Sequence, residues 1–201
     1  MYEVKAMGHY FTNNKNTKSN PIKHYVSIKN HSFEFLTDHG VFSKKGLDFG
    51  SRLLIEAIID ESFDQCLDLG CGYGPIGIVL KYFHPKAQLD MVDVNERAVE
   101  LAKKNANNNH IDVNVFVSDA FENVEKNYDM IVTNPPIRAG KKVIYNIFES
   151  AKKYLREQGS LYVVIQKKQG APSAMAFCQS IYDQVEVVKK KSGYLVFKCS
   201  K

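Results

Sequence analysis

From residue 24 the apolar positions first recur at every second residue. Two short alternating runs, HYVSI (24–28) and SFEFLTD (32–38), flank Lys29, Asn30 and His31, which predicts a β-hairpin in preference to a helix. A loop punctuated by glycines, GVFSKKGLDFGS, comes next. The period then lengthens to that of a helix in RLLIEAIID, where Leu54, Ile55, Ile58 and Ile59 share a face and Ser51 stands in the capping position. Strands and helices alternate from there. QCLDL is a strand running into a glycine-rich turn, and Pro75 opens the helix PIGIVLKYF, because a first helical residue needs no backbone donor. AQLDMV is a strand and NERAVELAKKNANN a helix capped by Asn95. VNVFV and YDMIV are strands, a helix over 141–157 stops at Gly159, and SLYVVIQ is the next strand. A helix over 173–182 leads to QVEVVKK and GYLVFKC, joined at Lys191, Ser192 and Gly193 as an antiparallel hairpin on one sheet edge.

Alternating units with continuously apolar strands predict an α/β fold, a mostly parallel sheet covered by helices on both faces. With the terminal hairpin this sheet has seven strands, and the early hairpin is a small extension of it. Residues 1–22 are polar and read as a mobile arm, leaving 23–201 as one domain. The 201 residues, 44% of them hydrophobic, suffice for one good core. No apolar run nears the roughly 18 residues of a membrane span and no secretory leader is evident, so a soluble, cytoplasmic protein is expected. Cys66, Cys71, Cys178 and Cys199 lack C-x-x-C pairing and accompanying histidines, which predicts free thiols and no metal.

The net charge of +5 is unevenly spread: +4 over residues 1–52, −8 over 53–137, +6 over 138–168 and +3 over 169–201. An acidic centre between basic flanks suits a polyanionic partner, although an ordinary solvated surface accounts for it as well.

Chemistry concentrates where strands end. CLDLGCGYGPIG carries Gly72, Gly74 and Gly77 in G-x-G-x-x-G spacing between a strand and a helix, a nucleotide-site pattern common to several chemistries. Asp93 closes the next strand, where an acid can accept from two ribose hydroxyls. An NAD-dependent dehydrogenase fits equally to this point. Asp68 counts against it: a carboxylate at that turn repels a pyrophosphate and welcomes an ammonium. Asp119 ends the third strand, positioned to accept from an adenine amine while the backbone of Ala120 donates. Thr133-Asn134-Pro135-Pro136 ends the fourth.

Through LDLGCGYG, DMVDVN, SDAF and TNPP the chain resembles the class I S-adenosylmethionine-dependent methyltransferases, whose fold is Rossmann-like. The resemblance implies S-adenosylmethionine as cofactor. Asp68 and the loop Gly70, Cys71, Gly72 and Gly74 then hold its methionine end, Asp93 and Val94 the ribose, and Asp119 and Ala120 the adenine, with Asn134 beside the transferred methyl group.

Asn-Pro-Pro alone reads equally as a stiff turn. Beyond such a cofactor site, Asn134 and the carbonyl of Pro135 become two acceptors for the hydrogens of a planar amine, with Pro136 fixing the turn. Held out of plane, those hydrogens leave the nitrogen lone pair aimed at the methyl carbon. Families with this turn usually carry an aromatic after it to stack on the substrate; Ile137 stands there instead. Phe42 and Phe49 are the alternatives, and Arg138 can stack on a base or hold a phosphate.

TDHGVFSKKGLDFGSRLLI, NPPIRAGK and VIQKKQGA, with the glycine loop, make the chain similar to the small-subunit ribosomal RNA guanine-N2 methyltransferases (RsmC-like), over about residues 24–199. The likeness implies guanine-N2 methylation in small-subunit RNA, with Ser43 and Asp48 as cofactor contacts. Lys44, Lys45, Arg138, Lys141, Lys142, Lys167 and Lys168 fall in loops at the substrate-facing strand ends, so RNA binding is expected to weaken steeply with salt. Two readings stay open beside it: a protein glutamine methyltransferase, and a non-catalytic RNA-binding or assembly protein on the same fold. Nothing in the sequence speaks to oligomeric state.

Overall fold

The computed structural model describes residues 20–43 and 46–201. The expected arm, as far as residue 19, and Lys44 and Lys45 lie outside these residues. The early alternating runs form the expected hairpin, β1 (Ile22–Ile28) and β2 (His31–Thr37), with Ile22 opposite Thr37. β1 begins at Ile22, the last residue assigned to the arm. Lys29 and Asn30 both take positive φ, 43° and 63°, as a two-residue turn matching the strand twist requires.

The remaining strands build one seven-stranded sheet: β3 (Gln65–Leu69), β4 (Gln88–Asp93), β5 (Asn114–Val117), β6 (Tyr128–Thr133), β7 (Leu155–Gln166), β8 (Gln184–Lys191) and β9 (Tyr194–Ser200). Their order is β5-β4-β3-β6-β7-β9-β8, parallel from β5 to β7, with β9 antiparallel to both its neighbours. This is the class I methyltransferase arrangement expected above. Period-two alternation divides the strands between two cores. Cys66, Met91, Met130 and Val164 face α1 (Phe49–Ile58), α2 (Pro75–Phe83) and α3 (Glu96–Asn108). Leu67, Val92, Ile131 and Val163 face α4 (Lys141–Tyr154) and α5 (Ala171–Gln179).

Three element ends depart from expectation. Asp48, not Ser51, caps α1; its carboxylate accepts from the Ser51 N–H at 3.0 Å, so the helix starts two residues before Ser51. α4 ends at Tyr154, and Gly159 does not stop it. Leu155 turns extended, buries its side chain and pairs with Tyr128, so joining the sheet outweighs another helical turn. α5 runs from Ala171 and stops at Gln179; Tyr182, expected inside it, instead gives its hydroxyl to the Phe148 carbonyl at 2.7 Å.

A clasp that sequence patterning missed fastens the hairpin. Asn105 in the last turn of α3 and Asn109, its C-cap, present their amides to the free edge of β2 as a strand would. Asn105 accepts from the Leu36 N–H at 2.7 Å and donates to the Leu36 carbonyl at 3.0 Å. Asn109 does the same with Glu34, at 2.9 and 2.7 Å. Asn105 also donates to the Tyr73 carbonyl at 2.8 Å, which ties the hairpin to the glycine loop.

Gly77 marks the closest approach of α2 to the sheet: a β-carbon there would lie 2.4 Å from Met91 Sδ and 3.0 Å from Leu89 Cδ2. Overpacking of a core costs about 1–3 kcal/mol, against about 1 kcal/mol that alanine gains over glycine in a helix. Gly77→Ala is therefore expected to lower Tm by up to about 8 °C, read by thermal unfolding; a raised Tm would show that β4 and Met91 yield freely.

Candidate active site

The four chemical segments meet because parallel strands place their C-terminal ends on one edge. Across β5, β4, β3 and β6 those ends carry, in order, Asp119, Asp93, Asp68 with the glycine loop, and Asn134. Three strand spacings make about 14 Å, enough for an extended nucleoside joined to an amino acid. The chain order reverses between β4 and β6 on either side of β3, the crevice where ligands of open α/β sheets sit.

The glycine loop is pinned by its own backbone. Gly70 and Cys71 both donate to the Val92 carbonyl at 2.9 Å, and Gly72 donates to Asp93 Oδ2 at 2.9 Å. Gly70 and Gly72 take positive φ, 72° and 57°, and nothing stands within 4 Å of where a β-carbon would project from either. The loop thus opens onto free space. Cys71 is buried beneath it, its thiol pushed well up by burial and by the carboxylates of Asp68 and Asp93.

Asp68 is fully buried. Its Oδ2 accepts from the Gly77 N–H at 2.9 Å, while Oδ1 has no hydrogen-bond partner among the described residues. Burial raises its pKa to about 7, offset in part by the Gly77 N–H and reinforced by the charge of Asp93. An orphaned buried acceptor beside an open glycine cradle fits the ammonium of S-adenosylmethionine. Asp93 is raised by burial too, against the N–H groups of Asn95, Gly72 and Val94. It therefore orients the loop as well as facing the expected ribose.

Asp119 is exposed at its strand end, in a turn closed by Ser118, whose hydroxyl donates to the Ala120 carbonyl at 2.9 Å. Ala120 takes a φ of 45°, which directs the backbone at this corner.

The loop expected over the cofactor is stitched to the start of α3 beside Asp93. Asn95 Nδ2 donates to the Gly40 carbonyl at 3.0 Å and Arg97 to the His39 carbonyl at 2.9 Å. Within it Ser43 takes a φ of 60° and gives its hydroxyl to the Gly46 carbonyl. Asp48 comes to Asn134: the Asn134 amide donates to Asp48 Oδ1 at 3.4 Å and to Ser51 Oγ at 3.1 Å. With its nitrogen directed at α1, the Asn134 oxygen meets no donor among the described residues.

At the double proline, Pro135 is buried and its carbonyl receives no hydrogen bond among the described residues, whereas the Pro136 carbonyl accepts from the Ala139 N–H at 2.9 Å. Ile137 starts a short 3₁₀ turn (Ile137–Ala139) and packs half-buried against the second core. That packing anchors the turn.

Aromatic surface comes from a place that sequence reading passed over. Tyr194, the first residue of β9, lies 5.2 Å from the Phe49 ring, and Gly50 lets it close on Asn134. A β-carbon at Gly50 would meet Tyr194 Cε1 at 3.2 Å and Asn134 Nδ2 at 3.5 Å. Phe42 and Phe49 expose 47% and 39% of their surface. Only the insertion of β9 beside β7 carries Tyr194 there, a pairing without a local signal.

Arg138, Lys141, Lys142 and Lys167 are all exposed. Lys141 and Lys142 occupy the first turn of α4, which contains no acidic residue, an arrangement that the helix dipole disfavours unless an anion is bound. The β8–β9 turn reaches the same rim, since the Lys167 N–H donates to the Gly193 carbonyl at 2.7 Å, and it adds exposed Lys190 and Lys191. The lysine run 189–191 was the available signal for these residues.

Residues 32–198 match the methyltransferase small domain family. The chain is 47% identical to the uncharacterized protein YbxB of Bacillus subtilis (strain 168), across 96% of this chain and 98% of that one. It is 37% identical to the ribosomal RNA small subunit methyltransferase C of Aliivibrio fischeri (strain ATCC 700601 / ES114), across 71% of this chain but only 43% of the relative. The chain thus spans less than half the length of that relative. Among solved structures, the T. thermophilus 16S rRNA N2 methyltransferase RsmC, in complex with AdoMet and guanosine, superposes with a TM-score of 0.80 at 24% identity, over 90% of this chain and 50% of that one. A methyltransferase from Pyrococcus furiosus gives 0.67 at 18% identity, over 81% and 90%. At such identities these two likenesses speak for the fold.

Proposed function

The chain belongs to the methyltransferase small domain family, whose members use S-adenosylmethionine, and we propose that it methylates an exocyclic amine of a nucleobase, guanine N2 of small-subunit ribosomal RNA. One observation carries this reading. Asn134 has its amide nitrogen held by Ser51 and Asp48, which leaves its oxygen uncommitted, as is the carbonyl of the next residue, Pro135, just beyond the end of β6.

The cofactor supplies a methyl group on a sulfonium, already bound to a good leaving group. What remains for the chain is to hold the amine. Asn134 and Pro135 accept its two hydrogens and favour the positive charge that grows on nitrogen as the N–C bond forms, with the surplus proton released afterwards. Proline rigidity sets the carbonyl direction in advance, and placement alone can contribute roughly 7–11 kcal/mol in favourable systems.

RNA as the substrate is supported by the lysines of the α4 first turn and the β8–β9 turn, which flank the same strand ends as Arg138 and Lys167. Guanine in small-subunit RNA is supported by the name of the Aliivibrio relative and by the guanosine bound in the Thermus protein. Tyr194 and Phe49 provide a face for the base, and Phe42 a second. Base stacking of this kind makes Tyr194→Leu raise KM for RNA about tenfold with cofactor Kd unchanged, in steady-state assays. An unaltered KM removes Tyr194 from the substrate face.

The reading is tested by incubating the protein with labelled S-adenosylmethionine and unmethylated small subunits or naked RNA, then mapping the label. Label on guanine N2 is the expected result; label on protein glutamine or only on DNA would overturn it.

A further inference from the structure

Phe49, Arg52, Leu53 and Glu56 recur at the helical period along α1 and share one of its faces. With Lys191, the last residue of β8, they line a groove of about 180 Å³. The groove adjoins the reacting turn. The Phe49 ring lies 5.2 Å from that of Tyr194, Lys191 is the register partner of Tyr194, and a β-carbon at Gly50 would meet both Tyr194 and Asn134. Pockets for free small molecules begin at roughly 300 Å³, so this groove suits one unit of a longer ligand.

Its lining is of two kinds. Phe49 offers an exposed ring and Leu53 a buried aliphatic side chain. The charged part is unbalanced. Glu56 is matched by Lys189, whose ammonium lies 3.6 Å from the carboxylate and donates to the Glu56 carbonyl at 3.1 Å. Arg52 donates to the uncharged Ser27 carbonyl at 3.1 Å, and neither Arg52 nor Lys191 has an ion-pair partner among the described residues. Two such cations beside an aromatic and an aliphatic wall complement a ligand that joins an anion to a flat ring, and a nucleotide carries both in one unit.

We propose that this groove holds the RNA nucleotide next to the target guanine, its base against Phe49 and Leu53 and its phosphate between Arg52 and Lys191. The inference rests on the RNA reading above and adds a second subsite to it. Phe49 borders both subsites, with Tyr194 on the target side and Arg52 on the other. The division of labour is physical: phosphate contacts fix the register of the strand, and a neighbour held on a ring of its own cannot restack on a target guanine that has been extruded.

The test measures affinity for a single-stranded RNA fragment centred on the target guanine, and for the same fragment with a neutral methylphosphonate at the linkage on either side. One of the two replacements should weaken wild-type binding about fivefold. In Lys191→Gln, which alters only an exposed side chain, that penalty should fall below about twofold, and in Arg52→Gln likewise. Lys104→Gln, exposed on α3 and outside the groove, should keep the full penalty. Lys191→Gln should also flatten the log-log dependence of affinity on salt by about 0.7. Removing the neighbouring base should weaken the wild type about tenfold and Phe49→Leu by no more than about twofold. Methylphosphonates without effect on the wild type, a penalty that survives both Arg52→Gln and Lys191→Gln, an abasic penalty retained by Phe49→Leu, or an unchanged salt slope would each overturn the subsite. A Lys191→Gln defect seen with small subunits but not with RNA would overturn it too, and assign the groove to a protein segment. Absence of label from RNA in the mapping experiment would instead overturn the RNA reading, and the subsite with it.

Discussion

Asn134→Ala is expected to lower kcat for methyl transfer by about 100- to 1,000-fold, the range seen when one preorganised transition-state hydrogen-bond partner is removed. Cofactor and RNA affinities should stay within about threefold, because the glycine loop, Asp93 and the basic rim keep their partners. The geometry explains why so much rests on one oxygen: Ser51 and Asp48 engage the nitrogen of the amide, which leaves the oxygen toward the acceptor site. Asn134→Asp sharpens the point. An acceptor oxygen survives, but the donations to Ser51 and Asp48 are lost and a second carboxylate is set beside Asp48, so turnover should also fall steeply. Ser51→Ala disturbs only the orientation and should cost less than either. Single-turnover assays with labelled cofactor separate these variants. Normal turnover in Asn134→Ala would remove the proposed chemistry, whereas loss of RNA binding would make Asn134 a substrate-binding residue instead.

The second large effect is at Asp68. Its pKa near 7 in the folded chain, against an ordinary 3.8, means that the native state binds this proton more tightly than the unfolded chain. Stability from this group is therefore fully present below about pH 4 and is lost, by up to roughly 4 kcal/mol, as pH rises to about 7. Asp68→Asn cannot ionise. The cofactor-free variant should gain in Tm over the wild type as pH is raised across that window. Binding the cofactor ammonium favours the ionised carboxylate, so wild-type affinity for S-adenosylmethionine should climb through pH 7. In the variant that dependence should vanish, with affinity about 10- to 100-fold weaker at pH 8, as for loss of a charge-assisted hydrogen bond. Calorimetry and thermal melts from pH 5 to about pH 8 provide both readouts. Parallel pH profiles for the two proteins would show that Asp68 carries neither effect.

Both residues were legible before any coordinates, and the reason is general. α/β alternation implies parallel strands, and parallel strands bring their C-terminal ends to one edge, so Asp68, Asp93, Asp119 and Asn134 could be aligned from strand positions alone. Local signals did equally well where the deciding interaction spans only a few residues. Pro75 opening α2 and Asn95 capping α3 are seen where they were expected. The same locality misled at α1, because Asp48 and Ser51 are both good capping residues, and their separation is decided by the Asp48 carboxylate reaching the Ser51 N–H.

What only the tertiary structure decided are partnerships between distant segments. Asn105 read as a polar helix position and Asn109 lay just past the expected helix, yet they act as a surrogate strand for β2. Tyr194 read as a strand residue and becomes an aromatic wall beside Asn134, because β9 lies between β7 and β8. The sequence by itself determined the fold class, the strand-end edge that gathers the candidate site and the place of the Asn-Pro-Pro turn on it, since these follow from periodicity and strand direction. The hairpin clasp, the contact of Tyr194 with Phe49 and the orphaned oxygen of Asp68 depend on which surfaces meet after folding, and close packing at that scale leaves no periodic trace in the chain.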